Sequence, residues 1–267
     1  MANSKHTAAE ASRDPQAWYL LGVAALQSGT LEGAVQAFLR TVELAPGSER
    51  ALSAAEELAV AGARSGAERI LRRARALNPH RADLRDALVT LLIEDGRERA
   101  ALAEVAAALA VEPDDVSLRL LAATAYDRLG QSDHAIDELV SITARHPGHA
   151  EANRRLGTLL AEKGDLAGSI RCWRQVVAQA GAADHEALTT LGRQLSLAGE
   201  HAEALRILYD VAATHPALAS AQANLGMALL AAGRNPEAIC AFSRVLALDA
   251  AWPHPVRAVR PRHAASG

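Results

Sequence analysis

Seven glycines, Gly29, Gly62, Gly96, Gly130, Gly164, Gly199 and Gly233, recur along this chain at steps of 33, 34, 34, 34, 35 and 34 residues. A period of that length, sustained over most of the sequence, dictates stacked copies of one small unit. Each copy buries its core against its neighbours only. The 267 residues therefore need no division into separate globular domains. An array of this kind serves as a surface for a partner rather than as a vessel for chemistry.

A second ladder interleaves with the first. Pro46, Pro79, Pro113, Pro147 and Pro216 each lie 17 residues after a glycine, and Gly181 and Ala250 occupy the same slot where proline is missing. Proline halts a helix because it has no N–H and restricts the residue before it. Glycine tolerates the backbone of a tight turn. The two ladders thus mark alternate turns of a helix–turn–helix unit. From Pro46 to Gly62 is 16 residues and from Gly181 to Gly199 is 18. Both slips fall in stretches that include a connection between units, where a loop absorbs a residue without moving a buried face. Asp14-Pro15 and Asn235-Pro236 each read as an N-cap followed by proline at the first helical position. Ser48, Asp114, Asp115, Thr30, Ser132 and Asp165 are further cap candidates. The pattern predicts about fourteen helices of about thirteen residues each.

Half of the residues are hydrophobic but only 3% are aromatic, with alanine and leucine supplying most of the apolar surface. Alanine favours helix and lets helices approach closely, so the expected fold class is all-α. A net charge of −3 argues against a nucleic-acid partner. Cys172 and Cys240 form no metal-binding spacing, and both read as packed thiols in predicted helices. The first residues have no apolar core of a secretory signal. No apolar run reaches the ~20 residues that span a membrane. A cytoplasmic location is expected. Motifs of nucleotide binding, metalloprotease and hydrolase chemistry are absent. The nearest histidine pair, His146 and His149, reads as loop surface because no third ligand joins it. No enzyme activity, cofactor or metal is expected.

At this point the residues resemble the tetratricopeptide repeat family. Trp18, Leu21, Gly22, Ala34, Phe38 and Pro46 carry the resemblance in the first unit. Leu191, Gly192, Ala204, Leu208 and Pro216 carry it in the sixth, and Leu225, Gly226, Ala238 and Phe242 in the seventh. Leu156, Gly157 and Trp173 mark the fifth. The middle units are looser, with Ala67, Ala101 and Ala135 in the small-residue slot, and the second departs most through Ala54 and Ala55. The resemblance implies a right-handed α-solenoid of seven units over residues 15–251, divided near 15–47, 48–81, 82–115, 116–149, 150–184, 185–218 and 219–251. A flexible segment 1–14 precedes it, and a proline- and arginine-containing tail, 252–267, follows. Gly22, Gly157, Gly192 and Gly226 are expected to let helices cross closely, with Phe38, Trp173 and Phe242 filling the larger gaps.

The resemblance also implies a concave groove lined by the first helix of each unit. Residues one turn apart share that face. Glu49, Leu52, Glu56, Asp83, Asp86, Thr90 and Glu94 fall on it early, and Thr124, Arg128, Arg154, Arg155, Thr158, Arg193, Asn224 and Met227 late. Its charge changes from carboxylates to arginines along the chain. Arginine holds a carboxylate through two parallel hydrogen bonds, so Arg128, Arg154, Arg155, Arg193, Asn224 and Met227 are candidates for binding an acidic or C-terminal peptide segment. The open alternative is that these arginines are solvated helix-face charges in ordinary salt bridges.

A last unit without a polar cap exposes its stacking face. Ile239, Val245, Leu246 and Trp252 are therefore candidates for an end-face contact, and self-association through that end is open. The leading functional expectation is a non-enzymatic scaffold holding a protein or peptide in the groove. The alternatives are an assembly subunit of secretion, motility or envelope machinery docking through its ends, and the repeat arm of a truncated larger enzyme.

Overall fold

The computed structural model describes residues 13–249. Among them lie fourteen α-helices, one short 3₁₀ turn and no strand. The helices are α1 (Pro15–Gln27), α2 (Leu31–Leu44), α3 (Arg50–Val60), α4 (Arg64–Leu77), α5 (Ala82–Glu94), α6 (Glu98–Leu109), α7 (Val116–Arg128), α8 (Ser132–Arg145), α9 (Ala150–Glu162), α10 (Leu166–Ala180), α11 (His185–Leu197), α12 (His201–Thr214), α13 (Ala219–Ala231) and α14 (Asn235–Leu248). The chain divides into two compact units, residues 1–135 and 136–267, with the division inside α8.

The glycine ladder ends the first helix of every pair. All seven glycines have positive φ, from 69° at Gly130 to 85° at Gly199. Around each runs the same pair of hydrogen bonds. At the first turn the Gly29 N–H donates to Leu26 O at 2.9 Å and the Thr30 N–H to Ala25 O at 2.9 Å. This is the Schellman arrangement, which satisfies carbonyls that a helix end leaves unpaired. The proline ladder acts through the residue before it. Ala45, Asn78 and His215 have φ of −138°, −139° and −128°, outside the helical region, as a following proline requires.

Where proline is missing, Gly181 ends α10 with φ 67°. A 3₁₀ turn, Gly181–Ala183, then carries the extra residue to Asp184, the N-cap of α11. The caps follow sequence in part. The carboxylates of Asp14, Asp115, Asp165 and Asp184 accept from backbone N–H groups of the first turns of α1, α7, α10 and α11. Thr30 stands at the cap position without capping, its hydroxyl donating back to Ala25 O at 3.0 Å. Ser48 likewise donates to Ala45 O. Asn235 is itself the first helical residue and Arg234 the cap, one position earlier than expected. His149 is more than loop surface: its Nδ1 accepts from the Ala152 N–H at 3.2 Å and caps α9.

Packing within each unit follows small against large. A Cβ on Gly22 would stand 2.4 Å from the Phe38 ring, one on Gly226 2.6 Å from the Phe242 ring, and one on Gly192 2.6 Å from Leu208. Only glycine allows these helices to approach so closely. In the first unit Phe38, Leu58, Ile70, Leu84, Leu88 and Leu118 are fully buried in one core. In the second, Ile170, Trp173, Leu191 and Leu195 form one cluster, and Leu208, Leu225, Phe242 and Val245 another.

Two sequence expectations fail here. Val245 is 0% exposed. It continues the inward stripe of Ala238, Ala241 and Phe242 on α14 and is unavailable for an end-face contact. Cys240 is exposed, on the opposite side of that stripe, while Cys172 is buried. Ile239 and Leu246 are exposed. Trp252, and the expected flexible start and tail apart from residues 13 and 14, lie outside the described residues.

Candidate functional site

The first helices of the second unit's pairs, α9, α11 and α13, carry most of the candidate binding residues. Within this unit α11 packs beside α13. The arginines stand very differently.

Arg154 on α9 is already engaged. Its guanidinium pairs with the carboxylate of Asp184, which also accepts from the Ala187 N–H at 2.9 Å. Burial pushes the Asp184 carboxyl upward. The Ala187 N–H and the Arg154 guanidinium outweigh that push and hold it below the ordinary aspartate value. Arg155 Nε donates to Glu151 Oε1 at 2.5 Å, one turn back on the same helix. Arg128, on α7 in the first unit, donates to Ile93 O at 2.6 Å. That carbonyl lies in the last turn of α5, where the helix dipole favours a cation. Arg193 on α11 is exposed and has no ion-pair or hydrogen-bond partner among the described residues. It lines a pocket of about 230 Å³ with Thr158, Glu162, Trp173, Thr190 and Gln194.

Asn224 is half-buried, and its amide donates to Ser220 O at 3.0 Å. It borders a separate depression of about 310 Å³ with His185, Glu186 and Thr189. Met227 is exposed one turn further along α13. The structure therefore brings Thr158 and Arg193 to one pocket and Asn224 to another. It ties Arg154, Arg155 and Arg128 to internal partners.

Two of the early carboxylates, Asp83 and Asp86, are similarly occupied. Asp83 pairs with Arg81. Asp86 accepts from Arg85 Nε at 3.0 Å and from the Ser117 hydroxyl at 2.7 Å. Arg85 also reaches Glu112 at 2.8 Å and Asp115 at 2.6 Å. Glu104 accepts from Arg72 at 2.9 Å and Arg75 at 2.7 Å, and Glu68 from Arg97 at 2.6 Å. Burial raises the Glu104 and Asp115 carboxyls, yet their hydrogen-bonding partners leave both below the ordinary range. The Arg97 hydrogen bond is the main cause of the lowered Glu68. This network links consecutive repeats of the first unit.

Thr190 and Gln194 escaped the sequence reading. Gln194 did leave a signal. It is a polar residue one turn after Leu191 and next to Leu195 on α11, and it is buried with them. Among the described residues no cluster of three or more metal-ligating side chains forms. No described helix is long and apolar enough to cross a membrane.

The helix pairs with glycine turns and proline connections define a helical repeat protein. A family profile described as tetratricopeptide repeat matches residues 6–49, 120–184 and 189–255. The chain belongs to the tetratricopeptide repeat family. The stretch between the first two matches forms the same helix pairs, α3 to α6. No curated protein matches the chain. Among solved structures, the MamA protein is similar at 20% identity with a TM-score of 0.57, over 63% of this chain and 91% of its own. A tetratricopeptide repeat protein from Parabacteroides merdae is similar at 18% identity and a TM-score of 0.57, over 74% of this chain and 78% of its own. The kinesin light chain repeats of Podospora anserina are similar at 21% identity and a TM-score of 0.54, over 65% and 97%. At these identities the likeness is one of fold. Membership of the tetratricopeptide repeat family supports a protein-interaction scaffold in general.

Proposed function

We propose that the chain is a non-enzymatic, cytoplasmic scaffold that binds a protein or peptide segment on the first-helix face of its second unit. Arg193 anchors an acidic side chain or terminal carboxylate of that segment. One observation carries this reading: Arg193 is the groove arginine left without an internal partner, and it stands beside a pocket. A guanidinium with its donors free receives a carboxylate bidentately without first breaking a bond. Arg154 and Arg155 are not anchors in this scheme, since each already holds a carboxylate of the chain.

The test is affinity capture from a cell extract with quantitative mass spectrometry. Arg193→Ala is expected to reduce capture of the specific partner about tenfold, the scale of a lost charge-assisted contact. Arg155→Ala is expected to leave capture unchanged. Equal capture by the Arg193→Ala and parent proteins would sink the anchor. The exposed Ile239 and Leu246 on α14 support a second reading, assembly through the C-terminal end. Loss of capture by Ile239→Glu with Leu246→Glu, but not by Arg193→Ala, selects it.

A further inference from the structure

Two opposite charges line the pocket beside Arg193. One is Arg193 itself, on α11, and the other is Glu162, on α9. Both are exposed, and neither has an ion-pair or hydrogen-bond partner among the described residues, the other included. Arg154 and Arg155 on α9, by contrast, already hold Asp184 and Glu151. We propose that this pocket takes a charge-alternating stretch of the bound segment. A lysine or arginine of that stretch meets Glu162, and an aspartate or glutamate two positions away meets Arg193. The inference rests on the peptide-binding reading above and adds a basic residue to the carboxylate that Arg193 anchors.

Position and lining select this pattern. Glu162 is the last residue of α9. The carbonyl end of a helix carries a partial negative charge, so helix end and carboxylate together favour a cation there. Lys163, the cap of that helix, has an interaction of its own. Ala161, Leu166 and Leu197 supply the apolar part of the same pocket, and Leu197 is 62% exposed. The methylene stem of a lysine or arginine lies along such a wall while its charged head stays in water. Arg193 and Leu197 are one turn apart on α11 and share a face of it. Along an extended segment alternate side chains point to the same side, which sets the two charges two positions apart. A doubly acidic stretch would satisfy Arg193 and press its second carboxylate against Glu162. A doubly basic stretch would fail in the opposite way. An ion pair between Arg193 and Glu162 themselves would be an exposed one, too weak to keep either from the segment.

The test uses the full ¹⁵N-labelled chain at low ionic strength, where exposed charges are least screened. The probes are four acetylated, N-methylamidated peptides: Gly-Lys-Gly-Glu-Gly, Gly-Glu-Gly-Lys-Gly, Gly-Glu-Gly-Glu-Gly and Gly-Lys-Gly-Lys-Gly. Binding is read from saturable shifts of the Thr158, Glu162 and Arg193 amide resonances. One order of the mixed peptides is expected to bind about fivefold more tightly than the doubly acidic peptide, the scale of an exposed ion pair. Attraction to Arg193 alone would rank the doubly acidic peptide first. In Glu162→Gln the preference for the mixed peptide is expected to vanish. In the charge exchange that combines Glu162→Arg with Arg193→Glu, the preferred order is expected to reverse. Both side chains are exposed, so unchanged circular dichroism spectra are expected for these variants. Equal or tighter binding of the doubly acidic peptide, a mixed preference that survives in Glu162→Gln, or no shift from any peptide overturns the assignment. Capture that depends on Arg193 without a mixed preference overturns the basic residue alone. A mixed preference that depends on Glu162, with capture independent of Arg193, overturns the anchor alone.

Discussion

At the scale of single residues, this fold is a set of matched small and large side chains. Gly226 against Phe242 is the sharpest case, since an added Cβ would lie 2.6 Å from the ring. Gly226→Ala is expected to cost about 1–3 kcal/mol by overpacking. Combining it with Phe242→Leu is expected to cost less than the sum of the two single changes, because the residues are in contact. Urea titration of the four proteins checks both. The small and large residues themselves were legible in the sequence. Pairings between distant residues were not. Asp184 lies thirty positions after Arg154, and no local pattern ties them. Cys240 and Val245 were misplaced for a simpler reason. Nine of the fourteen residues of α14 are apolar and they lie all round the helix, so its faces are hard to tell apart by pattern alone.

At the scale of elements, the turns decide the frame. Gly164 has φ 84° and open space where a Cβ would stand. Gly164→Ala is therefore expected to cost about 1–2 kcal/mol through backbone strain alone, with no rescue from any packing partner. Thermal unfolding of this variant beside Gly226→Ala separates the two mechanisms, since only the latter responds to a smaller neighbour. Both ladders and the two spacing slips could be read directly, because glycine and proline act on their own backbone. The caps supplied by Asp14, Asp115 and Asp165 were legible, whereas the cap supplied by Asp184 was not. At α14 the start lay one residue early, at Arg234, whose guanidinium holds Glu237 at 2.6 Å. The 3₁₀ turn at Gly181 has a reach of its own. It sets down Asp184 where the carboxylate both caps α11 and holds Arg154. A connection between repeats thereby decides which arginine on the first helices stays free.

At the scale of the molecule, charge is mostly settled internally. Glu68, Glu104 and Asp115 in the first unit and Asp184 in the second are all held below their ordinary values. A carboxyl whose folded value is depressed contributes stability above its unfolded value of about 4, and that contribution is lost as pH falls through the folded value. The urea midpoint is thus expected to be flat between about pH 5 and 7 and to fall below about pH 4. Asp184→Asn should show a shallower fall, and an unchanged acid profile would count against its pairing with Arg154. The seven turns carry a different consequence. Each joins its helices by the same two hydrogen bonds around a left-handed glycine. A splice from the residue before one ladder glycine to another ladder glycine would therefore rebuild a native junction. Lineages can lengthen or shorten such a chain by whole repeats through recombination, and the number of repeats is a setting of the gene rather than a requirement of the fold.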